Sequence, residues 1–185
     1  QELLGYLEEA QESDAIKAVP GFGQKIPVWL LGSSTFGAQL AAHLGLPYAF
    51  ASHFAPDYLQ HALKAYRENF RPSRYLSKPY VAAAMNVFAA DSETDARKMM
   101  SSMQQQFIAL RRGTPGPLKA PVDDIRTVAA PHELAGANHA LTYTAVGTKD
   151  SVQRHINQFI DDTGIDEVIL TCHAFDHQAR LRSFE

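Results

Sequence analysis

Residues 27–47 read PVWLLGSSTFGAQLAAHLGLP. Val28–Leu31 is a continuous apolar run, the pattern of a strand covered on both faces. Gly32-Ser33-Ser34-Thr35-Phe36-Gly37 is a turn of small and hydroxylated residues. Ala38–Leu44 then repeats at helical spacing and is stopped by Gly45 and Pro47. Strand, turn and helix in that order make one parallel βα unit. The first N–H groups of a helix have no partner within it, and the helix dipole favours negative charge there. Ser33, Ser34, Thr35, Phe36 and Gly37 are therefore candidates for holding a phosphate, one that belongs to a cofactor. Gly32 and Gly37 also suit a plain tight turn, and this reading stays open beside the other.

Two better-known phosphate motifs are excluded residue by residue. The glycine spacing of a P-loop is present, but Ala38 and Gln39 stand where Lys and Ser/Thr are required. The dinucleotide fingerprint G-x-G-x-x-G fails because position 34 is Ser. What remains suits a single terminal phosphate. The run Gly32-Ser33-Ser34-Thr35-Phe36 also approaches the nucleophile elbow G-x-S-x-G of hydrolases, with its second glycine one place late. No Asp or Glu stands out as a triad partner, so a hydrolase is the weaker reading.

The same alternation continues outward. Tyr48–His53 reads as a second strand, with Pro56 early in the helix that follows and Leu59, Ala62, Leu63, Tyr66 and Phe70 on one helical face. Tyr80–Ala89 is a third strand. Ser92 is the N-cap of a helix that runs to about Arg112 and stops at Gly113. Residues 114–147 are rich in Pro, Gly and Ala and are expected to be an irregular insertion with a short helix near 131–138. Thr148 caps a helix ending at Gly164, Asp166–Cys172 is a fourth strand, and a last helix covers about 176–184. Residues 1–12 read as the tail of a helix and 13–26 as a loop. The expectation is an α/β fold of parallel βα units, one domain over residues 1–185.

In such folds ligands sit at the C-terminal ends of the strands. The turn 33–37, His53 and His173 all fall there, and the two histidines are candidates for lining a substrate pocket. Met85 and Asn86 lie in the third strand, where alternate residues face opposite sides. Trp29, Phe50 and Phe88 read as core or helix-facing residues. His173 and His177 are four apart, but a strand-to-helix junction separates them and no second Cys/His pair has zinc spacing. No metal is expected, Asp176 is read as a helix cap, and no catalytic residue is identified.

The chain has 185 residues, 45% of them hydrophobic, with a formal net charge of −3. This is the composition of a soluble globular protein. The absence of a basic block argues against nucleic acid as a partner. The single cysteine, Cys172, cannot form an internal disulfide and fits a reducing compartment, so a cytoplasmic location is expected. No apolar run reaches spanning length, and the acidic start QELLGYLEEAQES is not read as a signal peptide.

Three stretches carry a resemblance. VWLLGSSTFGAQLAAHLGLPYAFASHFAP, YVAAAMNVFAADSETDARKM and YTAVGTKDSVQRHINQFIDDTGIDEVILTCHAFDHQARLRSFE together resemble the bacterial-luciferase-like, flavin-dependent monooxygenases. The resemblance implies a (β/α)8 barrel of the TIM type, reduced FMN as cofactor, and oxygen with a small organic, aldehyde-like cosubstrate. It places the FMN phosphate at the turn after the fifth barrel strand, here Ser33–Gly37. It also implies a flavin reductase as the source of reductant. A complete barrel needs about 250 residues, and the four strands here match the second half. The first half is therefore expected from the missing N-terminal part or from another chain, and open strand edges point to homo-oligomerisation. The alternative is a non-catalytic half-barrel, an assembly module with at most a weak anion site.

Overall fold

A computed structural model describes residues 2–9, 14–24 and 26–185. In chain order it contains α1 (Glu2–Tyr6), β1 (Leu30–Gly32), α2 (Thr35–Leu44), β2 (Tyr48–Phe50), α3 (Leu59–Asn69), β3 (Val81–Ala89) and α4 (Glu93–Arg111). A short 3-10 turn (Ile125–Thr127), α5 (Pro131–Ala140), β4 (Thr144–Gly147), α6 (Lys149–Thr163), β5 (Glu167–Thr171) and α7 (His177–Arg182) follow. Residues 1 and 10–12 of the expected N-terminal helix, and 13 and 25 of the expected loop, lie outside the described residues.

Helix ends follow the local chemistry. Ser92, Thr148 and Asp176 accept from Asp95 N, Ser151 N and Ala179 N, as N-caps do. Gly45 and Gly164 end α2 and α6 in the left-handed region, at φ 62° and 58°. At Gly45 a Cβ would also lie 2.5 Å from the Arg71 carbonyl oxygen, so only glycine fits.

All strand pairs are parallel and form one sheet. β1 pairs β2, and β2 pairs β3 through Tyr48–Phe50 and Val81–Ala83. β5 pairs β3 over Ala82–Asn86, and β4 pairs it over Asn86–Ala89. A strand has two edges. Ala82 is shared by β2 and β5, and Asn86 by β4 and β5, so β2 and β4 lie on the same edge of β3. β4 takes over that edge where β2 leaves it. The four strands read from the sequence thus run side by side as β1, β2, β3 and β5.

The fifth strand is a correction. The short helix expected near 131–138 is α5, but residues 114–147 also contain β4, which was not expected. A four-residue strand has no readable period of its own, and its pairing with β3 defines it. Other boundaries shift for similar reasons. β1 begins at Leu30, whose N–H donates to Pro47 O at 3.0 Å. β2 stops at Phe50, which leaves His53 in the turn beyond, and Pro56 precedes α3 rather than opening it.

One face of the sheet carries the main core. Tyr48, Phe50, Val81, Ala83, Met85 and Val87 pack against α2, α3 and α6 through residues such as Ala38, Leu63, Tyr66 and Phe159. Burying one large apolar side chain of this kind contributes about 1.5–3 kcal/mol. A second cluster joins Phe88 to Met103 of α4, Leu141, Cys172 and Ala174. Phe50 and Phe88 are core residues, as expected, but Trp29 is not. It is 36% exposed and meets Tyr80 edge-on, ring centroids 5.7 Å apart, at the N-terminal ends of the strands.

Candidate functional site

Because every strand runs the same way, the segments after β1, β2 and β5 leave from one rim. The turn 33–37, His53 and His173 stand on it. Ser34 is the N-cap of α2, in extended backbone at φ −145° and ψ 170°. Its hydroxyl makes no capping bond, and the first turn of α2 holds no acidic residue. Ser33 and Ser34 are both exposed. The two serines at this helix start therefore stand open to solvent.

Beneath the turn, Gly32 and Gly37 pack against each other on the Tyr48 ring. A Cβ at Gly37 would lie 3.6 Å from Gly32 Cα and 3.7 Å from the ring, an ordinary contact. The Tyr48 hydroxyl donates to Ser34 O at 3.2 Å. Burial pushes its pKa up to about 12, so it keeps its proton and remains a donor. Phe36 points into solvent, 72% exposed.

His53 is partly buried, its ring edge-on to Phe54 at 4.7 Å. Its Nδ1 is buried and has no hydrogen-bond partner among the described residues. Burial, and then repulsion from His173, holds its pKa below the usual histidine range. His173 itself is exposed. The structure thus brings the two histidines within electrostatic reach of each other, and burial favours the neutral form of the His53 imidazole.

The sequence reading assigned no role to Asn86, which the structure places in the middle of this rim. It is fully buried in β3. Its Nδ2 donates to His53 O at 2.6 Å and to Thr144 Oγ1 at 3.3 Å, and its Oδ1 accepts from Thr171 Oγ1 at 2.9 Å. Just before His53, Ser52 Oγ donates to Ala84 O at 2.5 Å. A signal did exist in the sequence. In VAAAMNVFA the helix-facing set is Val81, Ala83, Met85 and Val87, which leaves Asn86 as a polar residue on the opposite face.

Other candidates separate from the rim chemistry. His177 Nδ1 meets Arg180 within α7 at 2.7 Å, while Asp176 caps that helix. Cys172 is buried, and burial pushes its thiol up, away from the reactive thiolate. Among the described residues no three His, Cys, Asp or Glu gather as a metal site, and no helix is long and apolar enough to cross a membrane. A cavity of about 790 Å³ is bounded by Leu7, Ile26, Trp29, Pro47, Leu76 and Tyr80. These residues mark the N-terminal ends of the strands, opposite the phosphate-type turn. Ligand sites of parallel βα folds form at the other end.

The sequence model of the luciferase-like monooxygenases matches residues 8–182. The chain belongs to this family. A luciferase-like monooxygenase of Escherichia coli (strain K12) is 48% identical over the whole chain, which covers 55% of that protein. The uncharacterized protein YvbT of Bacillus subtilis (strain 168) is 40% identical, again with 55% of its length covered. Among solved structures, apo-MsnO8 superposes with a TM-score of 0.77 at 25% identity, covering 99% of this chain and 56% of that one. This luciferase-like chain spans about half the length of the curated relatives it matches.

Proposed function

We propose that the intact protein is an FMN-dependent monooxygenase, and that this chain supplies the phosphate anchor and part of the substrate pocket. In this reading the four strands β1, β2, β3 and β5 are the second half of a (β/α)8 barrel. The observation that carries it is the outward-facing start of α2, where the Ser34 hydroxyl is left free by the helix it caps. Backbone N–H groups of Thr35, Phe36 and Gly37, with the hydroxyls of Ser33, Ser34 and Thr35, fit a terminal phosphate. The missing lysine disfavours a triphosphate.

Reduced FMN, when bound, supplies the activation of oxygen and transfer to a small organic, aldehyde-like substrate. The chain's own residues bind, orient and exclude water. His53, neutral and set against Phe54, offers an uncharged, partly apolar wall and a ring nitrogen able to accept a proton. His173 borders the same space. The reductant comes from a flavin reductase, and the first half of the barrel from the rest of the protein or another chain. The working assembly is a cytoplasmic homo-oligomer.

A second reading is an assembly module without catalysis. Leu31 and Ile169, 67% and 40% exposed on the sheet face away from the main core, favour it. Titration of FMN and of riboflavin, followed by flavin fluorescence, separates the two. The anchor requires saturable FMN binding that inorganic phosphate weakens and that riboflavin does not match. Gly37→Ala should bind FMN, since a Cβ is tolerated there, while Gly37→Asp should not. Equal affinity for riboflavin and FMN would remove the phosphate anchor, and absence of any flavin binding would favour the module.

A further inference from the structure

Asn86 is a fully buried side chain whose polar atoms join the turn after β2, the end of β5 and the start of β4. Its carboxamide donates to the main-chain carbonyl of His53 and accepts from Thr171, two residues before His173. Its third bond goes to Thr144 at the start of β4. Burying a carboxamide is unfavourable unless its groups are paired, and here both ends of the amide are. An apolar residue would fill the volume as well as the neighbouring Met85 or Val87 does. It could not hold the turn after β2 and the end of β5 at once.

We propose that Asn86 is a positioning residue whose carboxamide sets the separation between His53 and His173. This rests on the reading that the two histidines line the pocket. None of these hydrogen bonds goes to either ring. Asn86 acts through the main chain of His53 on one side and through Thr171 on the other. Ser52 fixes the same turn from its other flank by its bond to Ala84 O. Thr144 belongs to the segment that takes over the edge of β3, so the bonds to His53 O and Thr144 Oγ1 close the junction between β2 and β4, and the bond from Thr171 ties in β5 from the other edge. Loss of the carboxamide frees the turn to shift, exposes His53 Nδ1 to water and increases its distance from His173.

The test is the titration of His53 in the intact protein, read by NMR of ring-labelled histidine and assigned with His53→Gln. Asn86→Ala should move the His53 midpoint measurably upward, towards the ordinary value near 6.5. Thr171→Val, which keeps the shape and removes the hydroxyl, should move it the same way, and Thr171→Ser should restore it. The Thr171 pair decides the matter where Asn86→Ala does not fold. A folded Asn86→Ala or Thr171→Val protein with an unshifted His53 would overturn the proposal. Saturable FMN binding is measured on the same samples. A shifted His53 without any flavin binding upholds the positioning role and rejects the pocket reading. Flavin binding with an unshifted His53 does the reverse.

Discussion

The Glu93 carboxylate, in the first turn of α4, accepts a 2.6 Å hydrogen bond from the Ser151 hydroxyl in the first turn of α6. It also accepts from Thr148 N at 3.2 Å. One helix thus supplies the negative charge that the start of another favours. The close approach is possible because residue 147 is glycine. A Cβ there would lie 2.5 Å from Glu93 Oε1, and φ is 143°, outside the range of other residues. Gly147→Ala should therefore destabilise the fold by about 1–3 kcal/mol in urea denaturation. A cost near zero would show that the carboxylate swings aside freely.

Acid should weaken the same region. The Ser151 hydroxyl and Thr148 N–H hold Glu93 below its usual pKa, and the Arg112 guanidinium holds Glu133 down at about 2. A depressed carboxylate contributes stability that is complete above the unfolded value near 4.5 and is lost as pH falls through the folded value. Both carboxylates are partly open to water, so solvent screens each contribution. The urea midpoint should decline from about pH 5 downward, and Glu133→Gln should flatten that decline. An equally steep decline in the variant would assign it to other groups.

His53 acts in a higher window. Its folded pKa is lowered, so between that value and 6.5 the unfolded chain binds more protons than the folded one. Stability from this residue is complete above 6.5 and is lost as pH falls through the folded value. His53→Gln should remove a rise in thermal midpoint that runs from the lowered folded value to above pH 6.5. If the rise persists in the variant, the ring is not held neutral.

Ser34→Ala separates ligand binding from helix capping. Removing a capping serine normally costs about 0.5–2 kcal/mol. Here the hydroxyl makes no capping bond, so the thermal midpoint should not change. The affinity for FMN should nonetheless fall several-fold, as for any lost phosphate contact. Calorimetry on one sample reads both quantities. A drop in stability with unchanged affinity would make Ser34 an ordinary cap.

Tyr66 ties α3 to the starts of two strands. Its hydroxyl donates to Leu46 O at 2.8 Å and accepts from Tyr80 N at 3.2 Å. Tyr66→Phe should cost about 1–3 kcal/mol, because it leaves both partners without the hydroxyl. Chemical denaturation measures it, and a neutral result would mean that water replaces the hydroxyl.

Much of this molecule was legible along the chain. The βα alternation, the four side-by-side strands, the caps at Ser92, Thr148 and Asp176, and the stops at Gly113 and Gly164 are local events. They depend on apolar periodicity and on a few residues either side of a helix end. The position of the turn 33–37 on the same rim as His53 and His173 also followed, because parallel strands all end on one side.

Tertiary contacts decided the rest. β4 is too short to announce itself, and it is a strand only because β2 leaves the edge of β3 at that level. Trp29 reads as core in the sequence, yet it stands partly exposed at the N-terminal ends of the strands. Asn86 was visible as a polar residue in an apolar strand, but its three partners lie 33, 58 and 85 residues away. The sequence by itself determined which segments are strands and helices, since that information lies within a few residues of each position. Only the folded sheet decided which buried polar groups meet, because hydrogen bonds between distant segments depend on register, and register is set by the packing of the whole.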